Sequence, residues 1–182
     1  MNISEAITKR KSVRAYLDKE ISAGDLEKII EAGRWAPNAG PFQMTVVRNA
    51  GLRKKINDRT LDAMVKSGIP FLQQRAALPG YQPLYGAPVL ALLSAPKEGP
   101  LGAINTSLAA GNMILEATGL GLGSCFLVSP TLALNRDREL LREAGVPDDH
   151  VLQCAVVLGY AAAENRFTAG ERTIKGTLKF ID

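Results

Sequence analysis

The sequence predicts a single domain of mixed helices and strands, with strands buried on both faces. Three observations support this. The chain has 182 residues, a length that suits one domain and can bury roughly 70% of its unfolded surface. Val89 to Leu93 is continuously apolar and Val151 to Leu158 is apolar but for Gln153, as strands covered on both sides are. The stretch Ile104 to Thr118 is apolar nearly all round over helical length, which predicts a central, buried helix. Helices and strands alternate, but imperfectly, and neither an internal repeat nor a low-complexity segment interrupts them.

In chain order, Asn2 to Lys9 reads as a helix, because Asn2 can cap it and Glu5 completes a capping-box pair. Residues 13–17 are extended in character. Ser22 opens a second helix, with Asp25 at the box position and Leu26, Ile29, Ile30 and Gly33 on one face. Pro37 ends it, since the residue before proline avoids helical geometry. Residues 37–43 form a loop of turn formers, and Met44 to Arg48 a strand. Leu52 to Lys66 is an amphipathic helix. Residues 68–88 hold four prolines and are expected to be the least structured part of the chain, suited to a lid. After the strand at 89–93 comes the helix at 104–118, on which Ile104, Leu108, Gly111 and Leu115 share a face. Cys125 to Val128 reads as a strand, and Leu132 to Ala144 as one charged helix stopped by Gly145 and Pro147. The strand at 151–158 follows. In the polar tail 160–182, Thr177 to Ile181 is strand-like.

Composition excludes several functions. Hydrophobic residues make up 46% and charged residues 22%, with a net charge of +4, the balance of an ordinary globular domain. The charge is spread out, without the like-charge blocks of a nucleic-acid tail. No apolar run reaches the roughly 20 residues that span a bilayer, and the N-terminus has no secretory pattern. Cys125 and Cys154 lie in apolar runs without a C-x-x-C pair, so they read as reduced thiols in a cytoplasmic protein. With His150 the single histidine, a multi-histidine metal site within one chain is ruled out. His150 lies in a turn sequence before a strand, which makes it a poor candidate for a catalytic triad.

The stretch with most chemistry is Arg10-Lys11-Ser12-Val13-Arg14. Three cations and a hydroxyl fall within five residues, where a helix stops. Forked arginine donors, a mobile lysine charge and a small hydroxyl suit a phosphate plus a planar, electron-rich group, although a basic run is as a rule a solvated surface. The glycines of 119–123 do not make a dinucleotide fingerprint. That motif needs a strand, then glycines, then a helix, and here the order is helix, glycines, strand, so a helix end followed by a tight turn is the better reading.

Five segments occur in a telling order: Arg10-Lys-Ser-Val-Arg14, Ala36-Pro-Asn-Ala-Gly-Pro-Phe-Gln43, Gly86-Ala-Pro-Val89, Gly119-Leu-Gly-Leu-Gly-Ser-Cys125 and Leu158-Gly-Tyr160. Together they resemble the short members of the nitroreductase family of FMN-dependent oxidoreductases. The resemblance implies an α+β fold: one domain over 1–182, an α-β-α sandwich around a mixed, mainly antiparallel sheet, built as an intertwined homodimer. By the same resemblance Arg10, Lys11 and Ser12 hold the FMN phosphate and ribityl chain, and Arg14 lies beside the N1 and O2 edge of the ring. Arg172 is a second phosphate ligand. Pro37, Asn38, Ala39 and Pro41 reach the flavin from the partner subunit, and Phe126, Leu127, Val128 and Ser129 line its N5 side. Pro41 stands where the family commonly has asparagine. The implied activity is ping-pong transfer of hydride from NAD(P)H through FMN to a nitroaromatic, quinone or similar small conjugated acceptor. The alternative is a flavin-binding protein without efficient turnover. Neither reading calls for a metal, nucleic acid or a membrane.

Overall fold

A computed structural model describes residues 1–163, 167 and 176–181. Among them the order is α1 (Ile3–Lys9), α2 (Ala23–Arg34), β1 (Gln43–Val47), α3 (Ala50–Val65), α4 (Pro70–Ala76), β2 (Val89–Pro96), α5 (Gly102–Gly119), β3 (Gly123–Leu127), α6 (Ser129–Leu134), α7 (Arg138–Glu143) and β4 (His150–Gly159). The four strands form one sheet in the order β1-β2-β4-β3, and every neighbouring pair is antiparallel. The two apolar runs become its central strands. Leu90 pairs with Val157 and Leu92 with Ala155, and a bulge between Leu93 and Ser94 shifts the register beyond them.

The sheet separates two cores, because alternate side chains of a strand point to opposite faces. On one face Leu90, Leu92, Ala155 and Val157 pack with Ile56 of α3 and Leu134, Leu140 and Leu141 of α6 and α7. On the other, Ala91, Leu93, Val156 and Leu158 pack with Ile29 of α2 and Ala109, Ala110, Met113 and Ala117 of α5. The result is the expected α-β-α sandwich.

Caps fix the helix starts. Asn2 and Glu5 form the predicted capping box, and the Ser22 hydroxyl accepts from the Asp25 amide. α3 starts before the expected Leu52, because the Asn49 side chain caps it by accepting from the Leu52 amide.

Four expectations need correction. Residues 68–88 contain the helix α4, which Pro70 starts from its first turn, where a missing N–H costs nothing. The expected single helix 132–144 is two: Asn135 closes α6, and Asp137 caps α7 by accepting from the Leu140 amide. α5 is buried on one face only, with Ile104 57% and Leu108 44% exposed. Thr177 to Ile181 forms no strand, and Leu178, Phe180 and Ile181 are each about 80% exposed. The glycine turn is as expected: α5 ends at Gly119, Gly121 takes φ +76°, and the Leu122 amide returns to the Ala117 carbonyl.

Candidate functional site

The basic stretch leaves α1 at Arg10, whose ψ of 128° breaks the helix, and joins the sheet at the β3 side. Ser12 bridges Ser124, the Val13 amide donates to the Ser124 carbonyl at 2.9 Å, and the Leu17 amide to the Tyr160 carbonyl at 2.9 Å. Two glycines permit this close approach. A Cβ on Gly123 would lie 2.9–3.0 Å from three carbons of Val13, and one on Gly159 would lie 2.6 Å from Pro88 and 2.9 Å from the Tyr16 ring. The glycines of the predicted motifs thus make room for the chain segment that carries the cations.

Along this segment Val13 is buried, Arg10, Ser12 and Arg14 are half-buried, and Lys11 is exposed. The Arg14 guanidinium donates to the Phe167 carbonyl at 3.2 Å. Arg14 lines a cavity of about 320 Å³ with Tyr16, Gln82, Tyr85 and Phe167, and its described lining residues include no carboxylate. The Tyr16 hydroxyl donates to the Val13 carbonyl at 2.9 Å, and burial raises its pKa well above the ordinary phenol value. Cys125 stands next to the stretch, buried and free. Burial pushes its thiol pKa up, while the Arg14 guanidinium, the Ser12 hydroxyl and the charges of Arg75 and Arg10 pull it down. Arg10, Arg14 and Arg75 are therefore close enough to be felt at one atom.

Arg75 and its neighbours were missed by sequence reasoning. Arg75 donates to the Tyr85 hydroxyl at 3.4 Å and lies 5.4 Å from the centre of the Tyr81 ring. Tyr81 and Phe167 meet edge-on at 5.6 Å. The segment 68–88 therefore closes one side of the cavity with aromatic rings, a pairing that only the folded chain displays.

The other predicted residues are distributed. Leu127 is buried in the core beside β4, while Phe126 and Val128 are 38% and 55% exposed, with Ser129 opening α6. Pro37, Asn38, Ala39 and Pro41 are exposed, in a loop latched to α5. The Ala39 amide donates to the Asn105 side-chain oxygen at 3.2 Å, and the neighbouring Phe42 packs on the α2–α5 core. Tyr16 packs against the opposite core. Within one chain, then, this loop is latched to α5, while Tyr16, which follows the basic stretch, packs against the core on the other face of the sheet. Arg172 lies outside the described residues.

A larger groove, about 910 Å³, runs between α2 and β1, walled by Leu26, Ile30 and Val46. Its cations Lys28, Arg34 and Arg48 are each paired with an acid, so it offers no surplus charge for an anionic group. No cluster of three or more His, Cys, Asp or Glu side chains suited to a metal occurs among the described residues. No described helix is long and apolar enough to cross a membrane.

Comparison with known proteins places this geometry. The sequence model described as Nitroreductase family matches residues 7–160. A protein from Archaeoglobus fulgidus, provisionally named an NADH dehydrogenase/NAD(P)H nitroreductase, is 30% identical over 168 residues, 87% of this chain and 84% of its own length. The crystal structure of a nitroreductase with bound FMN from Bacteroides fragilis superposes with a TM-score of 0.86 at 33% identity, covering all of both chains. An iodotyrosine deiodinase bound to FMN and 3-iodo-L-tyrosine shares the fold, with a TM-score of 0.75 at 20% identity over 98% of this chain and 100% of its own.

Proposed function

The chain belongs to the nitroreductase family, and we propose that it is an FMN-dependent oxidoreductase that takes reducing equivalents from NAD(P)H and passes them to a small conjugated acceptor by a ping-pong mechanism. The observation that carries this reading is the arrangement of Arg10 to Arg14. Strand-like bonds to β3 and to Tyr160, just past β4, hold three cations and a hydroxyl beside an aromatic-walled cavity with no carboxylate among its described lining residues. That donor set fits a phosphate followed by a planar, electron-rich ring.

In this reading Arg10, Lys11 and Ser12 bind the phosphate and ribityl chain, and Arg172 adds a cation to the phosphate. When bound, FMN supplies the hydride chemistry, and the protein supplies position and electrostatics. Arg14 acts as a fixed cation at the N1 and O2 edge, where negative charge is better accommodated by preorganised donors than by water. Phe126, Val128 and Ser129 border the N5 side, and buried Leu127 holds that segment on the core. Pro37, Asn38, Ala39 and Pro41 complete the site from a second copy of the chain. One feature supports a homodimer: the exposed apolar stripe of α5 at Ile104 and Leu108.

The alternative, a flavin-binding protein with slow turnover, draws on Pro41, which cannot supply the polar side chain that asparagine would. Steady-state oxidation of NADH and NADPH by the flavin-loaded chain, with 1,4-naphthoquinone as acceptor, separates the two. Acceptor-dependent turnover supports the enzyme. Flavin stoichiometrically bound without acceptor-dependent turnover would favour the alternative.

A further inference from the structure

The ion pairs among the described residues number eight, and in each the cation has a side chain at least 47% exposed. Two half-buried arginines, Arg14 in the cavity lining and Arg75 behind its Tyr85 wall, belong to none of them. A partly buried charge left without a counterion is unfavourable, so positive potential is concentrated here for a group that these residues do not supply. Arg14 is accounted for by the flavin edge. Arg75 is not.

Its surroundings are built. Arg75 sits in the last turn of α4, with Tyr81 under its guanidinium at 5.4 Å and one long hydrogen bond, 3.4 Å, to the Tyr85 hydroxyl. The Tyr81 hydroxyl also meets this guanidinium, and a guanidinium has five N–H donors in a fixed fork, so donors remain beyond those that face the two tyrosines. Tyr85 itself is held at φ +55°, and it is the one non-glycine residue with positive φ among those described. For a bulky side chain that conformation is rare, and such strain gathers at ligand sites. It aims the Tyr85 ring into the cavity that Arg14, Gln82 and Phe167 share, 6.5 Å from the Phe167 ring. An aromatic wall backed by a fork that has no carboxylate partner among the described residues matches a flat ring with an anionic substituent.

We propose that Arg75, presented by Tyr81 and Tyr85, selects an anionic planar electron acceptor, an aromatic or quinone ring bearing a carboxylate or sulfonate. This rests on the flavin-oxidoreductase reading above and names the substrate class of that site. The overall step balances as NAD(P)H + quinone + H⁺ → NAD(P)⁺ + hydroquinone. Two electrons and one proton come from the nicotinamide as hydride, and the second proton comes from solvent. Arg75 makes and breaks no covalent bond. It binds the substituent and is a specificity-determining residue.

The test compares 1,4-naphthoquinone with its 2-sulfonate in the flavin-loaded full chain, as wild type, Arg75→Gln and Arg75→Lys. Charge-assisted hydrogen bonds are among the strong ones. Arg75→Gln should therefore lower kcat/KM for the sulfonate at least tenfold, mainly through KM. The neutral quinone should stay within about twofold, and Arg75→Lys should recover part of the loss. The wild-type preference should also shrink as salt rises, a readout that remains if Arg75→Gln does not fold. Equal losses on both quinones, or an unchanged ratio, would overturn the proposal. So would a fall in the flavin potential with the ratio constant, since Arg75 would then serve the flavin. A chain that turns over the neutral quinone but is indifferent to charge overturns this proposal alone. A chain that neither holds FMN nor oxidises NAD(P)H overturns the underlying reading as well.

Discussion

Replacing Gly123 by alanine should damage the site through a single added methyl group. Gly123 begins β3 and faces Val13, the buried residue between Ser12 and Arg14. A Cβ there would stand 2.9 Å from Cγ2 and 3.0 Å from both Cβ and Cγ1 of Val13. Rotating Val13 gives no escape, because its own Cβ is one of the three atoms in conflict and its χ1 is stiff. The segment 12–14 must therefore move off the sheet, which loosens the 2.9 Å bond from the Val13 amide to the Ser124 carbonyl. Overpacking of this kind costs about 1–3 kcal/mol, and weakening the backbone bond adds up to ~1 kcal/mol. Urea unfolding should show a lower midpoint with unchanged slope, and FMN titration should show weaker binding, because the proposed phosphate ligands Arg10 to Ser12 ride on the displaced segment. Adding Val13→Ala removes both γ carbons in conflict. The double variant should be more stable than the sum of the two single losses predicts, with a coupling of roughly 0.5–3 kcal/mol. Wild-type stability and wild-type FMN affinity in Gly123→Ala would refute the argument that this glycine exists to admit the basic stretch.

Arg14→Ala should retain FMN through the proposed phosphate ligands but lower its two-electron potential by about 30 mV or more, the equivalent of tenfold in the equilibrium constant. An unchanged potential in the flavin-loaded variant contradicts the assigned role. The buried Cys154 thiol has its pKa raised from 9.0 to about 11, chiefly by burial. The folded protein therefore keeps a proton that the unfolded chain releases. This contribution to stability is fully present below about pH 9 and is lost as pH rises towards 11. Cys154→Ala should flatten the alkaline arm of a stability-against-pH curve, and an arm of unchanged slope would show that the thiol does not control it.

The sandwich was legible because its central strands and its helix caps are local signals. Val89 to Leu93 is apolar without a break and Val151 to Leu158 is broken only by Gln153, and Asn2 and Ser22 mark helix starts through hydrogen bonds only three residues long. The misses have a common cause in tertiary context. α4 follows Pro70 with no apolar stripe of its own, so a proline-rich reading concealed it. Asp137 looked like one more charge on a long helix until its side chain turned back to cap α7. The apolar residues of α5 gave no direction, and the face chosen for the core was set by the small residues Ala109, Ala110 and Ala117, which let α2 and the sheet approach. For the site, the cations at 10–14 were visible as a cluster, whereas Arg75 and Tyr85 lie 60 or more residues downstream. A tyrosine followed by glycine at 85–86 was the faint signal of a left-handed turn, and only the fold shows that it brings a ring and a guanidinium to Arg14.

The account depends most directly on FMN. The decisive measurement is the absorption spectrum of the purified chain, with the released chromophore identified and counted. The prediction is a yellow protein with about one FMN per chain, lost together with the colour when Arg10, Lys11 and Ser12 are replaced. A colourless protein that refuses added FMN would contradict the flavin site and return the basic stretch to the role of a solvated surface.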